Sequence, residues 1–261
     1  MSINPVIVPY ANAKLSRTIS ANRDNDFLSM IEMRELDLKA EPNASPWCMS
    51  SLKRFFDLAC AIPVLVLLSP GMLIVAVLIR LTSKGPILFR QQRVGLYRKE
   101  FTIYKFRTMS HDSECVGPCV TKAGDLRLTG IGRFLRKYKL DEMPQLYNVL
   151  RGDMSLVGPR PKLPQHEHLE MHYRPGITGA ATLAFANEES LLYEIPEEKL
   201  EDFHVNVVSP LKKLLDCQYH ERATFLSDFC LLMSTLFKRS NCRDLRIVSD
   251  LLQEQRATWS N

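Results

Sequence analysis

The sequence lacks the cysteine pattern of a disulfide-bonded or zinc-binding protein. Its 261 residues contain seven cysteines at irregular spacing, and we read no signal peptide at the start. We therefore expect reduced thiols in a cytosolic compartment. Three residues lie between Cys115 and Cys119, and no matching pair of cysteines or histidines occurs at a zinc-ribbon distance. We accordingly predict no cysteine-bound metal.

Charge is absent from about 22 residues between Asp57 and Arg80, with the sequence LACAIPVLVLLSPGMLIVAVLI. This run is long enough for a membrane-spanning helix and too long for a signal peptide. Ser69-Pro70-Gly71 falls at its centre, and Pro63 adds a second weak point. Because proline removes an amide donor and clashes with the preceding turn, the helix should bend sharply at Ser69 and Pro70.

Basic residues flank the apolar run on both sides. Lys53 and Arg54 precede it, and Arg80 and Lys84 follow it, whereas a membrane span concentrates Lys and Arg on its cytoplasmic side. Both ends therefore prefer the same face of the bilayer. This pattern predicts a membrane-inserted re-entrant helix over residues 49–84, with a single span as the alternative. A buried helix of a soluble core is disfavoured because such helices are seldom apolar on every side over this length.

The remaining sequence predicts an α+β fold that is mainly helical with a small β-hairpin, in a monotopic membrane protein. Two runs rich in β-branched and aromatic residues surround Gly95 as in a hairpin, and Lys105 and Arg107 share one face of the second strand. Residues 1–48 are expected to form a loosely attached N-terminal extension. Residues 85–261 are expected to form a cytoplasmic domain.

A helical stretch is predicted close to the C-terminus, over residues 209–239. It carries an apolar stripe from Phe225 to Phe237. We expect this stripe to pack on the core, with contact to lipid as the alternative.

Positive charge is concentrated in the middle of the chain. Between Lys84 and Lys139 there are about 13 Lys and Arg against about four Asp and Glu, whereas the net charge of the whole chain is +5. An anionic partner is expected for this segment. Nucleic acid, phospholipid head groups and a phosphorylated metabolite all qualify, and a solvated basic face is the simpler explanation.

Two adjacent carboxylates, Asp141 and Glu142, stand ahead of the helix-forming stretch MPQLYNVLR, which Gly152 closes. Asp141 is expected near the N-cap of this helix and Pro144 in its first turn, and such a pair can serve for capping alone. The helix N-terminus and Arg136, one turn earlier, would also favour the ionised form of Asp141. An ionised carboxylate is a competent nucleophile toward phosphorus, so both roles stay open here.

Arg160 stands between two prolines in the sequence Gly158-Pro159-Arg160-Pro161. The prolines restrict the backbone, so the segment that carries the guanidinium group loses little conformational entropy when the group binds a ligand. Such a group suits the bidentate binding of phosphate oxygens. A rigid turn that carries a surface arginine is the simpler explanation.

Several of these blocks occur together in a fixed order: SLKRFFDLACAIPVLVLLSPGMLIVAVLIRL, GPILFRQQRVG, FTIYKFRTM, LTGIGRFLRKYKLDEMPQLYNVLRGDMSLVGPRP and RPGITG. From about Ser51 to Gly179 the chain resembles the bacterial sugar transferase family, the monotopic phosphoglycosyl transferases. The resemblance implies an enzyme on the cytoplasmic face of the bacterial inner membrane, held by a re-entrant helix broken at Ser69 and Pro70. Such enzymes transfer a sugar 1-phosphate from a UDP-sugar to polyprenyl (undecaprenyl) phosphate, release UMP and start a surface-glycan pathway.

The resemblance also implies roles for individual residues. Asp141 would attack the β-phosphate to form a covalent phosphosugar-enzyme, which the lipid phosphate then attacks. Mg²⁺ is the implied cofactor, held by Asp141 and Glu142 together with substrate oxygens and water. The implied substrate-binding residues are Arg136, Arg160, Lys105 and Arg174.

The sugar and the alternatives to a transferase leave part of the function open. Ala180-Ala181-Thr182 follows RPGITG, where many family members continue with Trp-Ala-Gln, so the sugar is not determined. The alternatives to an active transferase are a catalytically silent membrane scaffold for glycan assembly and a nucleic-acid binder. The scaffold would have lost the Asp-Glu pair or Arg160, and the basic segment has no obvious base-stacking platform. We therefore expect no nucleic-acid partner, and we expect downstream glycosyltransferases as neighbours.

Overall fold

A computed structural model describes residues 44–110, 127–164, 172–186, 188, 192 and 195–237. Cys115 and Cys119, and most of the predicted N-terminal extension, lie outside these residues. The regular elements follow the chain in this order: α1 (Pro46–Met49), α2 (Ser51–Thr82), β1 (Leu88–Val94), β2 (Glu100–Phe106), α3 (Gly130–Lys137), α4 (Gln145–Arg151), β3 (Ser155–Val157), β4 (Gly176–Thr178), α5 (Ala180–Ala184), α6 (Glu197–Phe203), α7 (Ser209–Arg222) and α8 (Phe225–Leu236).

Helix α2 contains the whole apolar run. It begins where the Ser50 hydroxyl accepts a hydrogen bond from the Lys53 amide, and it continues without interruption for 32 residues. Pro70 cannot donate to the Val66 carbonyl four residues earlier, and the Ser69 hydroxyl donates to that carbonyl instead, at 2.8 Å. The helix is thus confirmed, while the predicted change of direction at Ser69 and Pro70 stays a prediction.

The side chains of α2 are exposed along most of its length. Leu67 is 78% exposed, and Val66, Leu73 and Leu81 are similarly uncovered. This exposure does not fit a core helix of a soluble protein, whose apolar side chains would be covered by other elements. By length and composition α2 is suited to association with a membrane.

The fully buried residues of α2 lie toward its two ends. Ala61, in the third turn, is fully buried in a core cluster with residues of β2, α4 and β3. Ile79, in the last turn, is buried with Phe106 at the end of β2 and Leu135 of α3. Both ends therefore contact elements that meet along the hairpin.

The predicted hairpin is confirmed as an antiparallel pair of β1 and β2, with Phe89 opposite Lys105. On one face of β2, Phe101 and Ile103 are buried in the cluster that contains α4. The Asn148 amide of α4 fixes this contact, because its oxygen accepts from the Tyr104 amide and its nitrogen donates to the Thr102 carbonyl. Lys105 follows on the same face, beyond the apolar part of the strand.

Strands β3 and β4 form a short parallel pair that leads directly into the sequence Gly158-Pro159-Arg160-Pro161. The two backbones approach so closely that a Cβ on Gly176 would lie 2.2 Å from the Gly158 nitrogen. Glycine is therefore required at position 176. The close pair fixes the position at which Arg160 leaves the strand.

The prediction that the stripe from Phe225 to Phe237 packs on the core holds for Leu231 and Leu232 but fails for its three phenylalanines, which are exposed. The C-terminal helical stretch divides into α7 and α8, and the Thr224 hydroxyl caps α8. The residues of α8 that face inward are Ser227, Asp228 and Leu231. Five large apolar side chains at the ends and outer face of α8 are exposed: Phe225, Leu226, Phe229, Leu236 and Phe237.

A buried ion pair explains why polar residues of α8 face inward. Lys53 Nζ lies 2.5 Å from Asp228 Oδ2, and both side chains are almost fully buried. The Trp47 indole donates to the same carboxylate at 2.9 Å, and the Tyr219 hydroxyl donates to its other oxygen at 2.7 Å. Lys53 also donates to the Val157 carbonyl of β3. The pair thus joins the start of α2 to α8 and to β3.

Breaking this pair from one side should strongly destabilise the fold. We expect Asp228→Asn to lower the free energy of unfolding by about 3–5 kcal/mol, because the buried charge of Lys53 would lose the carboxylate that it contacts directly. Arg151→Ala, which removes the more exposed pair with Asp153, should cost about 1 kcal/mol or less. Denaturant melting of the detergent-solubilised protein measures both. Equal effects would contradict the structural role of the buried pair.

Candidate active site

The Asp-Glu pair lies in a tight turn between α3 and α4, not at the cap of α4. Residues Leu140–Glu142 form one 3-10 turn that follows Lys139, whose φ is +57°. Pro144 occupies the N-cap position of α4, and Gly152 ends α4 in the left-handed conformation as predicted. Asp141 therefore does not cap the helix. The expectation of a capping role is wrong because the tight turn places the carboxylate one turn too early.

Glu142 is held by two cations from different parts of the chain. Arg160 forms a two-pronged contact, with Nη2 2.5 Å from Oε1 and Nη1 3.1 Å from Oε2. Lys105 Nζ lies 3.4 Å from Oε1. The same Arg160 nitrogen Nη1 donates to the Ile177 carbonyl of β4 at 3.3 Å. Three predicted site residues that are far apart in sequence thus meet at one carboxylate.

These charges determine the ionisation of Glu142. Burial alone would raise the pKa of Glu142, but the charges of Arg160 and Lys105 and the hydrogen bonds from Arg160 outweigh it. The pKa of Glu142 is therefore held well below its usual range. Burial lowers the pKa of Lys105 by more than the charge of Glu142 raises it, so the net shift is downward. Glu142 is a fixed anion at neutral pH.

Asp141 has a different environment. It is 7% exposed, and its Oδ1 has no hydrogen-bond partner among the described residues. Burial and the adjacent charge of Glu142 raise its pKa, against the opposing charges of Lys105 and Arg136. The expectation that its surroundings would favour ionisation in the free protein is therefore not met.

Arg136 approaches the pair from α3. Its Nε donates to the Thr108 hydroxyl at 3.2 Å, and its charge acts on Asp141. The approach depends on Gly132, one turn earlier, because a Cβ there would lie 2.0 Å from the Thr108 carbonyl oxygen. The Thr129 hydroxyl caps α3 on the Gly132 amide. The sequence correctly predicts this short basic helix.

Arg174 lies at the opposite end of α4 from the Asp-Glu pair. Its Nε donates to the Gly152 carbonyl at 3.0 Å, beside Arg54, which donates to the Val149 and Leu150 carbonyls. Two guanidinium groups thus satisfy the last carbonyls of α4 and complement the negative end of its dipole. The structure does not bring Arg174 to the other predicted substrate-binding residues.

The sequence reasoning missed one cation beside the site. Arg93 of β1 is largely buried, and its Nη1 donates to the Pro161 carbonyl at 3.1 Å. Burial and the charge of Arg160 lower the pKa of Arg93. The sequence signal that could have identified Arg93 is its position in the strand FRQQRV. Once the hairpin register is known, this position lies on the same face as Lys105. Arg93 supports the turn that carries Arg160.

The site fits a magnesium ion in part. Mg²⁺ takes one or two carboxylates and completes its shell with substrate phosphates and water. Asp141 offers Oδ1, which accepts no hydrogen bond within the described part of the chain. Both oxygens of Glu142 already accept from Arg160, so its contribution would require sharing. Across the described residues, no cluster of three or more acidic, His or Cys side chains forms a separate metal site.

The family of the chain is shown by comparison with known proteins. A family description of bacterial sugar transferases matches residues 48–241, which include both ends of α2, the Asp-Glu pair and α8. The chain therefore belongs to the bacterial sugar transferase family, a family of transferases.

Individual relatives agree with this assignment. An uncharacterized sugar transferase, EpsL, of Bacillus subtilis is 38% identical over 194 residues, covering 72% of this chain and 86% of the relative. A UDP-N-acetylgalactosamine-undecaprenyl-phosphate N-acetylgalactosaminephosphotransferase of Aeromonas hydrophila is 45% identical over 50% of this chain. An undecaprenyl-phosphate glucose phosphotransferase of Komagataeibacter xylinus is 44% identical over 53% of it. The matches span only 33% and 29% of these two longer relatives.

The contacts of Arg160 and Arg174 predict different consequences for the same substitution. Arg160→Lys keeps the charge but loses the two-pronged contact, so transferase activity should fall about tenfold or more. Arg174→Lys should change activity less than about twofold, because its charge lies at the end of α4, away from Glu142. Initial rates at limiting sugar donor measure both. An Arg160→Lys enzyme as active as the parent would exclude the phosphate-clamping role. A matching loss in Arg174→Lys would place Arg174 at the substrate.

Proposed function

We propose that this protein transfers a sugar 1-phosphate from a UDP-sugar to polyprenyl phosphate, releasing UMP, as the first step of surface-glycan synthesis. The observation that carries the proposal is the contrast between two adjacent carboxylates in a member of the bacterial sugar transferase family. Glu142 is fixed as an anion by Arg160 and Lys105, whereas Asp141 keeps an oxygen without a hydrogen-bond partner among the described residues. The relatives named for undecaprenyl-phosphate reactions support this substrate class.

The proposed reaction has two steps. In the first, a carboxylate oxygen of Asp141 bonds to the β-phosphorus while the bond from that phosphorus to the bridging oxygen breaks, so that UMP leaves with the electron pair. In the second, a phosphate oxygen of the lipid attacks the same phosphorus. The bond to Asp141 then breaks and regenerates the carboxylate. No oxidant or further reactant is needed.

The cations around the pair would bind the diphosphate and stabilise its developing charge. Arg160 and Lys105 already converge on one carboxylate, and Arg136 lies on the Asp141 side. Their positive charge would also favour the ionised form of Asp141 as substrate displaces water. Mg²⁺, held by Asp141 and shared with Glu142, would neutralise charge on the pyrophosphate.

We further propose that α2 enters the bilayer from the cytoplasmic face of the inner membrane and returns to that face. A helix that crosses a hydrocarbon core about 30 Å thick would place its two ends on opposite sides. Here Lys53 donates to β3 near the start of the helix, and Arg107 donates to Ser83 directly after its end. Contacts of both ends with one folded unit favour a re-entrant helix, for which Ser69 and Pro70 are the natural bend.

Helix α8 offers a second surface for lipid. Its exposed apolar residues are continuous with the start of α2, because the Phe225 ring packs edge-on against Phe56 at 5.3 Å and Trp47 at 5.8 Å. Phe55 and Leu52 are exposed on the neighbouring turns of α2. Such a continuous apolar surface is suited to lie in the membrane interface beside the inserted helix. The active site would then open close to the lipid phosphate.

The nucleophile is tested with labelled UDP-sugar. We expect Asp141→Asn to lower turnover by at least about a thousandfold. Its melting temperature should be retained, because Asp141 does not cap α4 and Asn has nearly the same size and shape as Asp. Without lipid acceptor, the parent should release UMP and retain label on the protein, and the variant should do neither. Asp153→Asn, at the far end of α4, is the matched control.

Two results would contradict this mechanism. One is protein-bound label in Asp141→Asn. The other is a parent enzyme that turns over in complete reactions but never retains label, which would indicate direct attack by the lipid phosphate with Asp141 as a metal ligand only.

The topology is tested by labelling single cysteines at Ser51 and Thr82, both of which are exposed at the two ends of α2. In a background without reactive thiols, both positions should react with a membrane-impermeant maleimide only from the cytoplasmic side. Labelling from opposite sides would establish a single span. Pro70→Ala should straighten the helix and move part of the population toward spanning.

A further inference from the structure

Gln145 is a buried polar side chain that the proposed chemistry does not use. It is the first residue of α4 and is 1% exposed, yet neither its amide oxygen nor its amide nitrogen has a hydrogen-bond partner in the described part of the chain. A buried amide without partners destabilises a fold, and such groups are few in native proteins. An apolar residue of the same size would be the more stable choice at this position.

A second unpartnered group lies one helical turn earlier. Asp141 Oδ1 is a buried acceptor without a donor among the described residues, and Gln145 Nε2 is a buried donor without an acceptor. The 3-10 turn of Asp141 passes into α4 through Met143 and Pro144, both in the right-handed helical conformation. Residues four apart on such a run lie on the same face, about 5–6 Å apart at Cβ. At regular helical spacing, a side chain as long as that of Gln145 can reach the Asp141 carboxylate.

We propose that Gln145 is a positioning residue for the nucleophile, donating from Nε2 to one carboxylate oxygen of Asp141 in the substrate complex. The donated hydrogen bond fixes the carboxylate plane, so that the other oxygen faces the β-phosphorus. The inference rests on the proposed function, because it assigns the partner of the same nucleophile.

Another buried amide on the same helix provides a matched control. Asn148 is fully buried, and its oxygen and nitrogen both bond to the backbone of β2, at Tyr104 and Thr102. Gln145 and Asn148 are therefore both buried amide side chains of α4. They differ in that Asn148 has hydrogen-bond partners among the described residues and Gln145 has none. Replacing Asn148 leaves two backbone groups of β2 unpaired, whereas replacing Gln145 leaves none.

The test compares Gln145→Met with Asn148→Leu in the full-length protein. Gln145→Met should keep the melting temperature or raise it by about 2–4 °C, and Asn148→Leu should lower it. With the UDP-sugar that the parent uses in a panel, Gln145→Met should slow UMP release in a single turnover about tenfold or more. Gln145→Asn, which keeps the amide on a shorter stem, should fall between Gln145→Met and the parent.

Binding separates positioning from substrate contact. In an Asp141→Asn background, which blocks turnover, adding Gln145→Met should leave the dissociation constant of the UDP-sugar within about twofold. A clear rise in that constant would overturn the positioning role, because Gln145 would then bind substrate directly. Unchanged single-turnover rates in Gln145→Met, or a lowered melting temperature, would also overturn it. A parent enzyme that releases no UMP from any UDP-sugar would instead overturn the proposed function itself.

Discussion

The buried ion pair between Lys53 and Asp228 connects the membrane-associated helix to the candidate active site. Lys53 belongs to the first turn of α2 and also binds the Val157 carbonyl at the end of β3. Strand β3 continues into the turn that presents Arg160, and Arg160 holds Glu142. The position of Arg160 relative to α2 therefore depends on a buried charge pair. Such a pair is worth little against an apolar replacement, but its loss from one side is costly, which makes it a determinant of geometry.

The two adjacent carboxylates show how one short turn can place neighbouring side chains in different electrostatic environments. Glu142 faces Arg160 and Lys105 and is held as an anion, whereas Asp141 faces the interior and keeps an unsatisfied oxygen. Both residues belong to the 3-10 turn after Lys139, and Glu142 is the one that Arg160 and Lys105 contact directly. A fixed anion can hold the cations in place while its neighbour reacts.

The apolar surface of α2 and α8 illustrates how the reasons for an inference can change. The flanking residues Lys53 and Arg54 served as evidence that both ends of the apolar run prefer the cytoplasmic side. In the structure Lys53 is buried against Asp228, and Arg54 binds carbonyls at the end of α4, so both have structural partners. What favours the re-entrant arrangement is that both ends of α2 pack on elements that meet along one hairpin. The exposed apolar face of α8 extends the same surface.

The sequence by itself determined the local features of this protein. Helix α2, the hairpin around Gly95, the basic helix before Asp141 and the end of α4 at Gly152 follow from apolar runs, strand propensity and backbone preference, which act within a few residues. Family membership followed from ordered motifs. Only the tertiary structure decided the partners of long charged side chains, because a side chain selects its partner after distant segments have packed. It brought Arg160 and Lys105 to Glu142, took Arg174 to the other end of α4, and left Gln145 unsatisfied. It also turned the apolar face of α8 outward, because burying Asp228 against Lys53 fixed the rotation of the helix.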